Sequence, residues 1–251
     1  MDDEFMRCIF RDNKPLVQLV LRIITGKKDL IVESIETQFD LKRLAGARSV
    51  ILDVHASERI ADTGIIRYDM EIERSDKRAS RYRSRYHSSA MDVENLRAGQ
   101  DFDELPETYV IFITENDIFG DGKPIHRIER VDIDSDGKPL FDDGEPIMYV
   151  NGAYRGDSDI GRLMHDFNCS EPDDMHYDLM KETAKYYKET PKGVEILSSV
   201  FDEIRDEAEH NHAVKTAERM IARGKDTLEE IAEIAQLPLE EVQELAGKKS
   251  A

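Results

Sequence analysis

IIRYDMEIER, residues 65–74, is the stretch that decides how this chain folds. Tyr68, Met70 and Ile72 alternate with Asp69, Glu71 and Glu73, which predicts a strand with one apolar and one acidic face. Upstream, SVILDVHA (49–56) predicts a partner strand, in which Val50, Leu52 and Val54 alternate with Ile51, Asp53 and His55. SERIADTG (57–64) between them reads as a loop, with Gly64 as its turn residue. An antiparallel pairing of these strands would set Asp53 opposite the Glu71 row. Glu71 and Glu73, two apart on one strand face, would lie roughly 6–7 Å apart.

Further out, residues 2–25 predict an amphipathic helix pair broken near 12–15. Pro15 suits a first helical turn, and Leu16, Leu19, Val20, Ile23 and Ile24 recur at helical spacing up to Gly26. Residues 29–40 alternate loosely, as a strand or an irregular lead-in. Residues 76–98 lack Gly and Pro internally up to the end and predict one long helix. ETYVIFIT (107–114) is almost continuously apolar, which suits a strand buried on both faces. GDGKP (120–124) and SDGKP (135–139) are turns, and IMYVNG (147–152) is a further strand. From residue 157 the chain becomes helical and acidic, and 226–247 reads as two short helices meeting at Leu237–Pro238.

At 251 residues the chain suits one large domain with an appendage, or two small domains. Its 54 acids outnumber its 35 basic residues, giving a net charge of −19. That balance counts against nucleic acid unless a local basic strip overcomes it, because phosphate contacts dominate such affinity. Two distant cysteines, Cys8 and Cys169, make no disulfide framework. The acidic start MDDE differs from a signal peptide, and the apolar run 16–24 is too short and polar to span a bilayer. The expected compartment is the cytosol.

Three converging carboxylates at Asp53, Glu71 and Glu73 would repel one another without a cation. An oxygen-rich site of that kind suits Mg²⁺ (or Mn²⁺), which could activate a water and neutralise charge on a phosphate. Acids on the wet face of a strand are also what any acidic chain displays. The basic strip that could decide between these follows at once. RSDKRASRYRSRYH (74–87) carries Arg74, Lys77, Arg78, Arg81, Arg83 and Arg85 against the single acid Asp76. Arg74, Arg78, Arg81 and Arg85 fall close to one helical face, and arginine suits phosphate because its fork binds two oxygens. Arg74, Lys77, Arg78, Arg81 and Arg85 are therefore the candidate DNA-backbone contacts. Tyr82 and Tyr86, interleaved, would stack on bases or simply pack.

With these pieces in place, the chain resembles the PD-(D/E)XK nuclease family transposases, relatives of the recombination-promoting nucleases of bacteria. The resemblance runs through DDEFMRCIFRDN (2–13), LDVHA (52–56), YDMEIER (68–74) and RASRYRSRYHSSAMD (78–92). It continues in LPETYVIFITENDIFG (105–120), MYVNG (148–152) and LMHDF (163–167), and covers roughly residues 1–195. It implies an α/β fold, a restriction-endonuclease-like mixed sheet flanked by helices, followed by an all-helical extension over 196–251. It also implies Mg²⁺-dependent hydrolysis of DNA phosphodiesters. By position, Asp53 and Glu71 match the two motif acids and would ligate metal. Residue 73 is commonly Gln in this family and Lys in the wider superfamily; here it is Glu. Glu73 brings no positive charge, although it could ligate a second metal or act as a base, and Arg74 or Lys77 would have to supply the cation. Glu4, on the first helix, is the candidate extra acid ligand. The rival expectation is an inactive member of the same fold, serving as a DNA-binding or protein-interaction module.

Other motifs carry less. His165, Cys169 and His176 lack the paired spacing of a zinc site, and His210 and His212 diverge on a helix. The tail resembles a helix-turn-helix, but its second helix carries Glu240, Glu241 and Glu244, which repel phosphate. Packing or homo-oligomerisation suits it better.

Overall fold

The computed structural model describes residues 3–41, 50–60, 64–74 and 79–249. Two helices open the chain, α1 (Asp3–Phe10) and α2 (Lys14–Thr25). Asn13 makes the break between them: its side-chain oxygen accepts the Leu16 amide, with Pro15 in the first turn of α2. Gly26 ends α2 in the left-handed conformation, φ 73°, and returns its N–H to the Arg22 carbonyl.

Strands β1 (Val32–Leu41), β2 (Val50–Ile60) and β3 (Gly64–Glu73) form an antiparallel meander. The expected loop at 57–60 is strand instead, with Ser57 paired to Arg67 and Ile60 to Gly64. Its polar side chains hide this from a reading of periodicity, because the hairpin ladder holds the backbone whatever the side chains. Gly64 begins β3 at φ 98°, and residues 61–63 lie outside the described residues.

Helix α3 (Arg81–Asn95) links β3 to the parallel strand β4 (Glu107–Thr114). Ser80 caps α3 by accepting the Arg83 amide, so the helix is shorter than the expected 76–98. Strands β5 (Ile125–Ile128) and β6 (Ile147–Asn151) finish a six-stranded mixed sheet of order β1-β2-β3-β4-β6-β5. Helices α4 (Asp159–Asn168) and α5 (Asp178–Glu189) follow.

Both faces of the sheet are covered. On one, Tyr68, Met70, Tyr109, Ile111, Ile113 and Val150 pack with residues of α1, α2, α4 and α5 in the main core. On the other, Val110, Phe112 and Tyr149 meet Ala90 and Met91 of α3 in a smaller cluster. Strand β4 is thus buried on both sides, in keeping with its almost continuously apolar sequence. Glu71 and Asp69 lie on the sheet face that α3 packs against.

The chain divides into two compact units, Met1–Gly193 and Val194–Ala251. The second holds most of α6 (Pro191–Arg223), with α7 (Leu228–Ala235) and α8 (Leu239–Lys249), around Ala217, Ile231, Leu237 and Val242. A capping box of Thr227 and Glu230 starts α7. Among the described residues no helix is long and apolar enough to cross a membrane.

Ile111, fully buried at the middle of β4, tests the core. Ile111→Ala should lower unfolding free energy by about 2–5 kcal/mol, read from the midpoint of a urea titration.

Candidate functional site

The β2–β3 ladder decides which acids meet. Val54 opposes Met70 and His55 opposes Asp69, so Asp53 falls in the Glu71 row, on the sheet face away from the main core. The two expected motif acids therefore share a face, and they touch: the Asp53 amide donates to Glu71 Oε1 at 3.0 Å. Asp53 is itself held by the Ile72 amide on Oδ2 (3.3 Å) and by Gln38 Nε2 on Oδ1 (3.4 Å). Its side chain keeps 20% exposure, whereas those of Glu71 and Glu73 keep 0% and 4%. The site is thus a buried acidic floor with one partly open carboxylate.

Burying carboxylates is costly unless cations face them. Arg83, one turn into α3, supplies the first: its guanidinium ion-pairs with both Glu71 and Glu73, and lies 5.5 Å from the Phe112 ring centre. Arg7 of α1 supplies the second, 3.9 Å from Asp53 Oδ1. Thus α1 contributes a cation here where an acid, Glu4, was expected; the Glu4 side chain lies outside the described residues. Arg74, expected to supply the missing positive charge, is exposed, and Lys77 is outside the described residues. The physical reason is helical geometry: once Ser80 caps α3, position 83 turns toward the sheet and 81, 82 and 85 turn to solvent.

Asp69 and His87 complete the constellation. Arg83 Nε–H donates to His87 Nε2 (3.1 Å), which leaves the ring proton on Nδ1, facing Asp69 Oδ2 at 2.9 Å. Asp69, Glu71 and His87 offer ligand atoms within 4.8 Å of one another. With both ring nitrogens engaged, His87 acts as an orienting group, and the donors turned toward a cation are oxygens. One of them is orphaned: fully buried Asp69 Oδ1 has no hydrogen-bond partner among the described residues.

Burial, then the charge of Asp53, holds Asp69 well above the usual carboxylate range. Burial, then Asp69 and Asp53, does the same to Glu71, opposed by His87 and Arg83. Asp53, Asp69, Glu71 and Glu73 outnumber Arg7 and Arg83 by two charges when ionised, a deficit that a divalent cation would fill. His55, on the same face, is pushed down to about 4 by burial and then by Arg67, and stacks on Phe39 at 4.9 Å.

Arg81 and Arg85 are exposed on α3, Arg74 precedes the helix, and Arg78 lies outside the described residues. Tyr82 is 76% exposed, contrary to packing, and its ring sits 5.7 Å from the Arg85 guanidinium. Asp69, Arg83 and His87 were not singled out from sequence. Asp69 shares the parity of Glu71 and Glu73, and Arg83 and His87 are four apart, so the signal for both was present. In the second unit, His210 pairs with Glu241 (3.1 Å) and not with His212.

No protein-family model, no curated protein and no solved structure matches the chain.

Arg83→Met should destabilise the fold by about 2–4 kcal/mol, below the full figure for a wholly buried pair because Arg83 is 31% exposed. The pH dependence has a defined sign. An acid with a raised folded pKa stabilises below its unfolded value and loses that contribution as pH rises through the folded value. Removing Arg83 raises Asp69 and Glu71 further, since it opposes both shifts. The deficit of Arg83→Met should therefore be larger at about pH 8 than at about pH 5, in urea titrations run in parallel with wild type.

Proposed function

We propose that this chain is a metal-dependent nuclease of DNA phosphodiesters, built on a restriction-endonuclease-like core of the PD-(D/E)XK transposase type. The observation that carries the reading is the placement of Asp53 and Glu71 in one row of adjacent strands, beside the orphaned oxygen of Asp69. Oxygen donors in that number, with two negative charges unbalanced when all four acids are ionised, fit Mg²⁺ or Mn²⁺ better than a softer ion. Asp53, Asp69 and Glu71 would hold the ion, which when bound supplies an activated water and charge neutralisation at the phosphate.

The chain's own groups prepare that site. Gln38 and the Ile72 amide orient Asp53; the Asp53 amide and Arg83 orient Glu71. His87 holds one oxygen of Asp69 and leaves the other open. Glu73 stands where the superfamily has Lys, and Arg83, paired to it, brings a guanidinium to that position. Exposed Arg81 and Arg85 meet the DNA backbone from the helix above. A cytosolic setting suits this reading.

A second reading is favoured by one observation. Arg83 already neutralises Glu71 and Glu73 from within, as a structural ion-pair network would in an inactive module that binds DNA or protein.

Nicking of supercoiled plasmid separates the two. Wild type should nick with Mg²⁺ or Mn²⁺, whereas Asp53→Ala and Glu71→Gln should each lose more than the roughly 10–100-fold typical of an outer-shell change. No cleavage with either metal, or equal cleavage by Asp53→Ala, leaves the module reading. Arg81→Ala and Arg85→Ala should weaken DNA binding without regard to sequence, each lowering the salt slope by about one. Fluorescence anisotropy across a salt series reads this.

A further inference from the structure

We propose that His165, Asp166 and His176 form a second metal site, suited to Zn²⁺ or a similar transition-metal ion and independent of the nuclease reading. Ligand atoms of the three lie within 4.8 Å of one another. His165 and Asp166 are consecutive near the end of α4, and His176 returns to them after a short 3-10 turn at Pro172–Asp174.

The return is anchored. The Asp166 carboxylate, with no exposed side-chain area, accepts the His176 amide on both oxygens (2.8 and 3.0 Å) and the Tyr177 amide on Oδ2 (2.9 Å). This brings the His176 ring edge-on to His165, with centroids 4.7 Å apart. His165 Nδ1–H donates to Asp166 Oδ1 at 3.1 Å, so a bound ion would replace that proton and take both atoms as ligands. Two ligands of a tetrahedral ion with bonds of about 2.0–2.1 Å are separated by roughly 3.3 Å, so this edge is close to formed. His176 is exposed and swings on two side-chain torsions, enough to close the remaining gap.

Donor chemistry selects the ion. Two imidazoles and one carboxylate favour Zn²⁺, Co²⁺ or Ni²⁺ over Mg²⁺, and three protein ligands leave one position for water. Spacing pointed to Cys169 as the third ligand and failed as a zinc pattern. In the fold, Cys169 Sγ lies 3.1 Å from the Glu171 carbonyl, outside the group, and Asp166 stands in its place. A bound ion would cross-link the end of α4 to the segment entering α5, so binding is linked to folding.

The test uses the full chain, stripped with a chelator and titrated with Co²⁺ in excess Mg²⁺, followed by displacement with Zn²⁺. Wild type should bind one Co²⁺ per chain with a visible absorption band that Zn²⁺ removes. His165→Ala and His176→Ala should each weaken binding by about tenfold or more, while His87→Gln leaves it unchanged. The His176 side chain is exposed, so its variant should retain the wild-type circular dichroism and melting midpoint, and lack the rise in midpoint that Zn²⁺ gives wild type. Absence of stoichiometric Co²⁺ binding by wild type overturns the proposal. So does wild-type affinity in His176→Ala, or loss of binding in His87→Gln alone.

Discussion

The ion pairs of Arg83 with Glu71 and Glu73 join helix α3 to the two acids of β3 that a folded chain could least leave alone. Removing an ionised carboxylate from water costs several kcal/mol even after relaxation, more than a typical surface pair returns. A side chain with no exposed area, like that of Glu71, needs donors on both oxygens, and it has them in the Asp53 amide and Arg83. Those donors come from β2 and α3, so the pairing of β2 with β3 and the docking of α3 are coupled through one carboxylate. The apolar part of that docking is small, resting on Ala90, Met91, Val110, Phe112 and Tyr149. The polar network therefore carries a large share of the registry between helix and sheet.

The two faces of the sheet divide the work. The large apolar core, filled by α1, α2, α4 and α5, provides most of the burial that stabilises the unit. That stability lets the opposite face retain four acids, of which Asp69 and Glu71 are raised by burial first and by neighbouring carboxylates second. Strain of this kind is what a cation-binding site requires, since an ion gains most where charges are already held together at a cost. The open side of Asp53 and the orphaned oxygen of Asp69 are where that gain would be collected.

Much of this was legible in the sequence. Period-two alternation placed Asp53, Glu71 and Glu73 on strands, and an almost continuously apolar run marked β4 as buried on both faces. Pro15 and Gly26 bounded α2, and the junction at Leu237–Pro238 separated α7 from α8. Where reading failed, it failed for definable reasons. Ser57, Glu58 and Arg59 carry no strand-like pattern because their pairing is backbone to backbone. The arginines of 74–85 were grouped as one helical stripe, but α3 begins only at Arg81, behind the cap at Ser80, so Arg74 is not on it and Arg78 lies outside the described residues.

The sequence by itself determined the local periods: which residues alternate, where helices start and stop, and that acids would line one strand face. Those are properties of neighbouring residues and need no knowledge of distant contacts. Only the tertiary structure decided that Arg83, and not Arg74, Arg81 or Arg85, turns inward to Glu71 and Glu73. Likewise it decided that Asp69 and His87 join the site, and that Asp166 replaces Cys169 beside the two histidines. Each of those outcomes depends on how a helix is phased against a sheet or a returning loop. That phase is set by a single cap, at Ser80, or a single buried carboxylate, at Asp166.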